Sequence, residues 1–412
     1  MKHEKWTGAL AALGLVSLAS AAQAEEKATS AVSALTPTTI GGYVDTSAHW
    51  NIGTGNANPA PYKFNNASKA DGFNLDVVQL TLEKALDEQP WSAGYHVDLW
   101  AGPDAASLGT TVPGAGTTDL AIRQAYIKLN TPIGNGLDWK MGVFDSVIGY
   151  ESLEGPKNPN YTRSYGHSME PQTHTGLKAT YRFCDAVSLS AGVADTMGPQ
   201  INQRANPPMA ESYKAYMASI LLTAPKSMGF LAGSTLFGGF VNGFNANTVH
   251  PGPGATVANG SVQTSFFVGT TLATPIERLK VGAAFDYVNI QTMPGETFSL
   301  AGYASFQATD KLSFHLRGEY VKDSLGLFSQ HFGLNGDHND GTAGAVDTRV
   351  SSENLMAFTA TVQYDLWANV VSRIEFRWDH SLNDTPTFGG SAAGSPALGN
   401  SWLLAANLVY KF

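Results

Sequence analysis

A two-residue period of apolar and polar side chains, repeated along nearly the whole chain, limits what this sequence can fold into. In Val370 to His380, Ile374, Phe376 and Trp378 fall on one face of an extended strand, and Arg373, Glu375, Arg377 and Asp379 fall on the other. Lys311 to Lys322 repeats the pattern, with Leu312, Phe314, Leu316 and Tyr320 opposed to Ser313, His315, Arg317 and Glu319. Ser401 to Phe412 aligns Trp402, Leu404, Ala406, Leu408, Tyr410 and Phe412. Apolar residues in these windows do not recur at i, i+3, i+4 and i+7, which argues against amphipathic helices.

About sixteen such segments run along the chain, beginning near Thr39, Phe73, Trp91, Leu120, Leu137, Thr173, Val187, Tyr213, Met228, Val262, Leu279, Phe298, Leu312, Leu355, Val371 and Ser401. Their lengths are near the ~9–11 residues of a tilted membrane strand. The second segment changes phase at Val77-Val78, which suggests a bulge. The links between segments alternate. Short ones, such as Cys184-Asp185 and Thr309-Asp310, follow the even strands. Long ones (51–72, 102–118, 147–172, 195–212, 243–261, 323–352, 382–399) mostly follow the odd strands, with 291–296 as the exception. An antiparallel up-and-down barrel in an outer membrane sorts its loops in this way, with short periplasmic turns and long outer loops. A β-sandwich has no reason to. Lipid offers no hydrogen-bond partner, so strands cross it only as a closed barrel.

Composition agrees with this reading. Charged residues make up 14% of the chain against ~25% in soluble domains, as expected if half of each strand faces lipid. No run of ~18 apolar residues follows the N-terminal segment, so a helical membrane protein is excluded. With 25 basic and 34 acidic residues, the net charge of -9 provides no basic footprint for nucleic acid. Trp50, Trp91, Trp100, Trp139, Trp367 and Trp402 sit near strand ends, where an interfacial girdle is expected. The single cysteine, Cys184, rules out an intrachain disulfide.

Residues 1–24 read as a signal peptide: Lys2 and Lys5, a short apolar stretch from Leu10 to Ala22, and the small-x-small site Ala22-Gln23-Ala24. The expected organisation is therefore 1–24 signal peptide, 25–38 short periplasmic segment and 39–412 transmembrane barrel.

Two stretches carry a family resemblance. One contains Arg123-Gln124-Ala125-Tyr126-Ile127, Lys140-Met141-Gly142-Val143-Phe144 and Ile148-Gly149-Tyr150-Glu151; the other contains Asn158-Pro159-Asn160-Tyr161-Thr162-Arg163-Ser164-Tyr165 and His174-Thr175-Gly176. Their order resembles the outer-membrane barrels of the beta-barrel porin-2 family, most clearly over residues 72–195. The resemblance implies a porin in the bacterial outer membrane and leaves the cargo undefined. The alternating C-terminus ending in Tyr410 and Phe412 also looks like the signal read by the outer-membrane barrel assembly machinery.

If the apolar faces meet lipid, the polar faces line a lumen. Candidates there are His96, Asp98, Arg123, Lys178, Arg182, Lys280, Asp286, Arg317, Glu319, Arg373, Glu375, Arg377 and Asp379. About sixteen strands leave an aqueous channel. The Arg373/Glu375/Arg377/Asp379 ladder is then expected to set up a transverse field in the pore water. By analogy with sixteen-stranded general porins, the third long loop, 147–172, folds inward and narrows the pore. Glu151, Glu154 and Arg163 are its candidate constriction residues, facing Arg123, Arg182, Arg373 or Arg377.

No GxSxG, HExxH, phosphate-loop or dinucleotide motif occurs in a fitting context, and the acidic loop Asp337-His338-Asn339-Asp340-Gly341 fails calcium-loop spacing. The reading is a porin, not an enzyme, that passes small hydrophilic solutes or ions down their gradient without a cofactor. Its partners are outer-membrane lipids and those solutes, and a homotrimer is admitted by analogy. The acidic total favours cations. The alternative is a plugged or adhesive structural barrel, and after it an outer-membrane barrel enzyme.

Overall fold

The computed structural model describes residues 38–412 apart from 66–68, 88–89, 112–117, 247, 250–255, 258, 294, 329–352, 384–385 and 393–395. The expected signal peptide 1–24, nearly all of segment 25–38 and the acidic loop at 337–341 lie outside the described residues.

Sixteen antiparallel strands close into one barrel. They are β1 (Thr38–Asn51), β2 (Gly72–Lys84), β3 (Ala93–Ala101), β4 (Leu120–Thr131), β5 (Leu137–Asp145), β6 (Thr173–Cys184), β7 (Val187–Ala194) and β8 (Ala215–Thr223). The second half comprises β9 (Thr235–Phe244), β10 (Val262–Ala273), β11 (Leu279–Ile290), β12 (Thr297–Gln307), β13 (Leu312–Asp323), β14 (Glu353–Trp367), β15 (Val370–Ser381) and β16 (Asn400–Lys411). Each strand pairs with its neighbours in sequence, and β1 pairs with β16 to seal the ring. At the seam the backbones of Gly42 and Phe412 exchange hydrogen bonds of 2.9 and 3.0 Å, so the last residue completes the closure. Among the described residues the barrel sheet has no open edge, which is the condition for crossing hydrocarbon.

The barrel is apolar outside and polar inside. Phe73, Ile127, Met141 and Ile374 are exposed on the outer wall, whereas Arg317, Glu375 and Arg377 on the inner wall are wholly buried. Burial therefore follows the two-residue alternation with the sense of a soluble protein reversed. Of the tryptophans expected in a girdle, Trp50, Trp91, Trp367 and Trp402 are exposed on the surface and Trp139 is half-buried. Trp100 is the exception: it points inward, is 1% exposed and donates to Gln79 Oε1 at 2.6 Å. It shares a face of β3 with His96 and Asp98, so its parity places it in the lumen.

Fifteen of the sixteen expected strand starts match to within two residues; the ninth does not. Met228 falls in a 3₁₀ turn, Lys226–Leu231, that follows Pro225 and uses Gly229 at φ 60° and Gly233 at φ 82°. Glycines supply these conformations without strain, so this stretch turns, and β9 begins only at Thr235. The phase change in β2 is a bulge. Asp45 pairs with Val77 and Thr46 with Leu75, which leaves Asp76 as the extra residue. A second bulge leaves Arg123 as the extra residue in β4, between the Asp98–Gln124 and Leu99–Ile122 pairs. Each bulge turns an additional charged side chain inward.

Candidate functional site: the third long loop inside the barrel

The loop between β5 and β6 leaves and returns through one gate, where Ser146 N–H donates to Gln172 O at 2.9 Å. Gly149 at φ 122° starts the inward bend. Short helix α1 (Pro103–Ala106) belongs to an earlier loop; α2 (Tyr165–Met169) is the helix of this one. Ser164 caps α2 by accepting from His167 N–H at 3.0 Å. All five residues of α2 are buried inside the barrel.

The inner wall of β13, β14 and β15 holds this loop by its backbone. Glu375 accepts from the N–H groups of Tyr161 and Thr162 at 2.6 and 2.8 Å, and Glu319 accepts from Tyr165 N–H at 2.6 Å. Arg317 donates to Thr162 O at 2.7 Å, Thr162 Oγ1 at 3.0 Å and Arg163 O at 3.2 Å. It also pairs with Glu151 at 3.0 Å and Glu319 at 2.7 Å. Arg377 donates to Arg163 O at 2.7 Å, pairs with Asp379 at 2.8 Å and lies 4.1 Å from the centre of the Tyr62 ring. Arg373 donates to Asn158 O at 2.7 Å and Gly155 O at 3.2 Å. Asp379 accepts from the Tyr165 hydroxyl at 2.7 Å. Charges this deeply buried are tolerated because they are paired and their donors and acceptors are used.

The opposite flank of the loop is tied by Arg123, which pairs with Asp98 and Asp145 at 2.8 Å each and with Glu154 at 3.2 Å. Glu154 also meets Lys157 at 2.8 Å. Arg163 turns back on its own loop, donating to Tyr161 O and Leu153 O at 2.8 Å each, with its guanidinium 5.5 Å from the Phe64 ring centre. The loop after β1 adds another layer. Lys69 bridges Asp76 at 3.2 Å and Asp104 at 2.6 Å, and the Tyr161 hydroxyl reaches His49 Nε2 at 2.7 Å.

Two loop groups are shifted in opposite senses. Burial pushes the Glu170 carboxyl well above the usual range, and the facing Asp286 adds to this. Burial also drives His167 well below its ordinary value, helped by the charge of Arg163.

Ten of the candidates are therefore brought into one network: Glu151, Glu154, Arg163, Arg123, Arg317, Glu319, Arg373, Glu375, Arg377 and Asp379. Arg182 is not. It stands exposed near the short-turn end, beside a cavity, far along β6 from the loop. The expected field from the Arg373–Asp379 ladder also needs correction. Those side chains are 0–3% exposed beneath the loop; Arg373, Glu375 and Arg377 are bound to its backbone and Asp379 to the Tyr165 hydroxyl, so they do not line open pore. Tyr410 and Phe412 are exposed on the outer wall beside the seam. The Lys69–Asp76–Asp104 bridge and the His49–Tyr161 contact were not legible from pattern alone; the phase change in β2 was the one signal pointing to Asp76.

The charged anchoring is one-sided, whereas toward β7–β9 the loop packs by apolar contact, with Val147 and Ile148 buried against Ala194, Met217 and Val241. On β6 to β8 the inner wall carries Thr180, Ser188, Ser190, Ser219 and Thr223, which with Leu221 and with Phe237 of β9 line a cavity of about 110 Å³ below the loop. One water needs ~10–15 Å³ of such space. Among the described residues no group of three or more His, Cys, Asp or Glu side chains is placed to hold a metal ion.

A closed sheet with an apolar exterior, polar interior and an inward-folded loop defines a sixteen-stranded outer-membrane barrel of the porin type. The chain belongs to the beta-barrel porin-2, OmpL-like family, which it matches over residues 37–412, and is an outer-membrane porin. Salmonella typhi OmpF, solved with daunomycin, is similar in fold at 12% identity and a TM-score of 0.57, covering 91% of this chain and 97% of that one. The outer membrane channel DcaP of Acinetobacter baumannii gives 12% and 0.56, with 91% and 97% covered. The anion-selective porin from Comamonas acidovorans gives 9% and 0.56, with 91% and 99% covered. No curated protein sequence matches the chain.

Proposed function

We propose that small hydrophilic solutes and ions diffuse through the space between the third loop and the inner face of β6–β9, with the loop as the constriction. The observation that carries this is the asymmetry: the loop is bonded by charged groups to β13–β15 and Arg123, while toward β7–β9 it packs by apolar contact above a cavity lined partly by small hydroxyl side chains. Glu151, Glu154 and Arg163 then set the loop's position. Arg123, Arg317, Glu319, Arg373, Glu375, Arg377 and Asp379 hold it, and Arg182 lines the mouth. Export by the 1–24 signal peptide and insertion guided by Tyr410 and Phe412 through the barrel assembly machinery belong to the same reading, as does assembly as a homotrimer in outer-membrane lipid.

A plugged barrel is the second reading, favoured by one observation: Phe144, Tyr165, Met169 and Phe328 are fully buried inside the barrel. Liposome swelling separates the two. Uptake of small sugars that falls steeply with solute size is expected of the constricted pore. Refolded, heat-modifiable barrels that never swell liposomes with any solute would overturn it in favour of the plug.

A further inference from the structure

Three lysines occupy one row of the inner wall, directly opposite one another: Lys128 on β4 pairs in register with Lys140 on β5, and Lys140 with Lys178 on β6. Exposed Ile127, Met141 and Leu177 alternate with them on the lipid face, so all three point inward. Neighbouring Cβ atoms in such a row stand ~5 Å apart, and like charges directly opposite destabilise a sheet. The row ends on glycines at both sides, Gly94 opposite Lys128 and Gly192 opposite Lys178. The glycines place no side chain of their own beside the lysines, while Met217 Cγ lies 3.2 Å from the Cβ position of Gly192 and Lys178 is 5% exposed.

The surroundings do little to neutralise two of the three. Lys128 is paired with Glu83. Lys140 donates to the Tyr126 hydroxyl at 3.0 Å and lies 4.4 Å from that ring's centre. Lys178 donates to the backbone oxygen of Asp145 at 3.0 Å and lies 4.9 Å from the Phe144 ring centre. Among the described residues no carboxylate lies within ion-pair distance of either. The carboxylates nearest in the fold are already engaged, Asp98, Asp145 and Glu154 by Arg123 and Glu83 by Lys128. Lys178 also lines the cavity below the loop, together with Arg182.

We infer that the Lys128–Lys140–Lys178 row is an anion-attracting lining at the passage below the loop, and that the channel favours small anionic solutes, carboxylates or phosphates, over cations. A row of like charges raises the local concentration of counter-ions in a narrow low-dielectric passage. The net acidity of the whole chain does not set the sign, because many of its carboxylates lie in loops or are consumed in the anchoring network. The inference rests on the diffusion route proposed above.

The test is the zero-current potential of the refolded full chain in a planar bilayer under a KCl gradient. Chloride-selective potentials are expected. Lys140→Gln/Lys178→Gln should cut the chloride-to-potassium permeability ratio about threefold or more, and Lys140→Arg/Lys178→Arg should keep it. A cation-selective wild type, or a Gln pair with an unchanged ratio, overturns the lysine row while leaving the channel standing. Absence of any conductance overturns the diffusion route itself. Replacing chloride by acetate or by phosphate on one side then separates the two anion chemistries. Current carried by either supports the proposed solute class, and exclusion of both by a chloride-passing channel refutes it.

Discussion

Replacing Glu375 by Gln tests how the third loop is held. Glu375 is wholly buried and accepts from two successive loop amides, Tyr161 N–H at 2.6 Å and Thr162 N–H at 2.8 Å. Gln has the same shape but one acceptor oxygen and an NH₂ group, so one of the two amides loses its acceptor. A hydrogen bond to a charged group contributes ~1.5–3 kcal/mol, and a buried unmade donor costs ~1–3 kcal/mol. Loop anchoring should weaken by about 2–3 kcal/mol, which raises the detached population roughly 30- to 150-fold. Amide hydrogen exchange of the refolded protein reads this directly. Protection at 158–166 should fall by that factor while amides in β13 to β16 keep theirs, because local opening leaves the barrel ladder intact. Unchanged protection across 158–166 in a folded barrel would refute the role of Glu375. Loss of protection in loop and strands together would refute the separation of loop anchoring from barrel stability.

Other consequences follow from the same contacts. The loop should be held best at mildly acidic pH, between the ordinary carboxylate and imidazole values. The raised Glu170 stabilises the loop below its unfolded value, and this is lost as pH rises through its folded one; the lowered His167 costs stability as pH falls below its ordinary value. Proteolysis within 147–172 measured from pH 3 to 10 should pass through a minimum below neutrality, and Glu170→Gln should remove the rise above it. Gly149→Ala should loosen the loop, since φ 122° strains an L-residue and the new Cβ would lie 2.6 Å from Glu170 Oε2; faster cleavage with an intact barrel would show it. Lys69→Met strips Asp76 and Asp104 of their shared cation and should cost about 3–5 kcal/mol, read as a lower urea midpoint of the folded, heat-modifiable band. Deleting Phe412 removes the backbone pair with Gly42 at the seam and its exposed ring. Refolding yield in lipid should drop, with no change in the conductance of the barrels that do form.

The barrel was legible because lipid imposes a simple rule on every strand. Alternation in segments such as Val370 to His380 reports directly which side chain meets hydrocarbon, and loop lengths report which end of the barrel each link occupies. Strand nine broke the rule because apolar Met228, Phe230 and Leu231 lie in a glycine-containing turn, where composition suggested a strand and backbone conformation forbade it. The candidate site was legible as an inventory and not as an arrangement. Glu319, Arg317 and Arg377 were named from their faces and Glu151 from its loop, but a strand pattern carries no information on which loop lies across that face. The ladder therefore read as a wall wetted by pore water, whereas Glu375 binds loop amides, Asp379 the Tyr165 hydroxyl, and the guanidiniums loop carbonyls. Likewise Arg123 was visible as a lumen residue, but its reach to Glu154 depends on a bulge that no periodicity displays.

The most direct test of the central claim is single-channel conductance of the refolded protein in a planar bilayer. A loop bonded to β13–β15 and passing solutes along β6–β9, as proposed, predicts discrete, stable opening steps, made noisier by Glu375→Gln as the loop detaches more often. Barrels that insert, shift mobility on heating and yet carry no current would contradict the channel, and with it the idea that the loop constricts rather than closes the lumen.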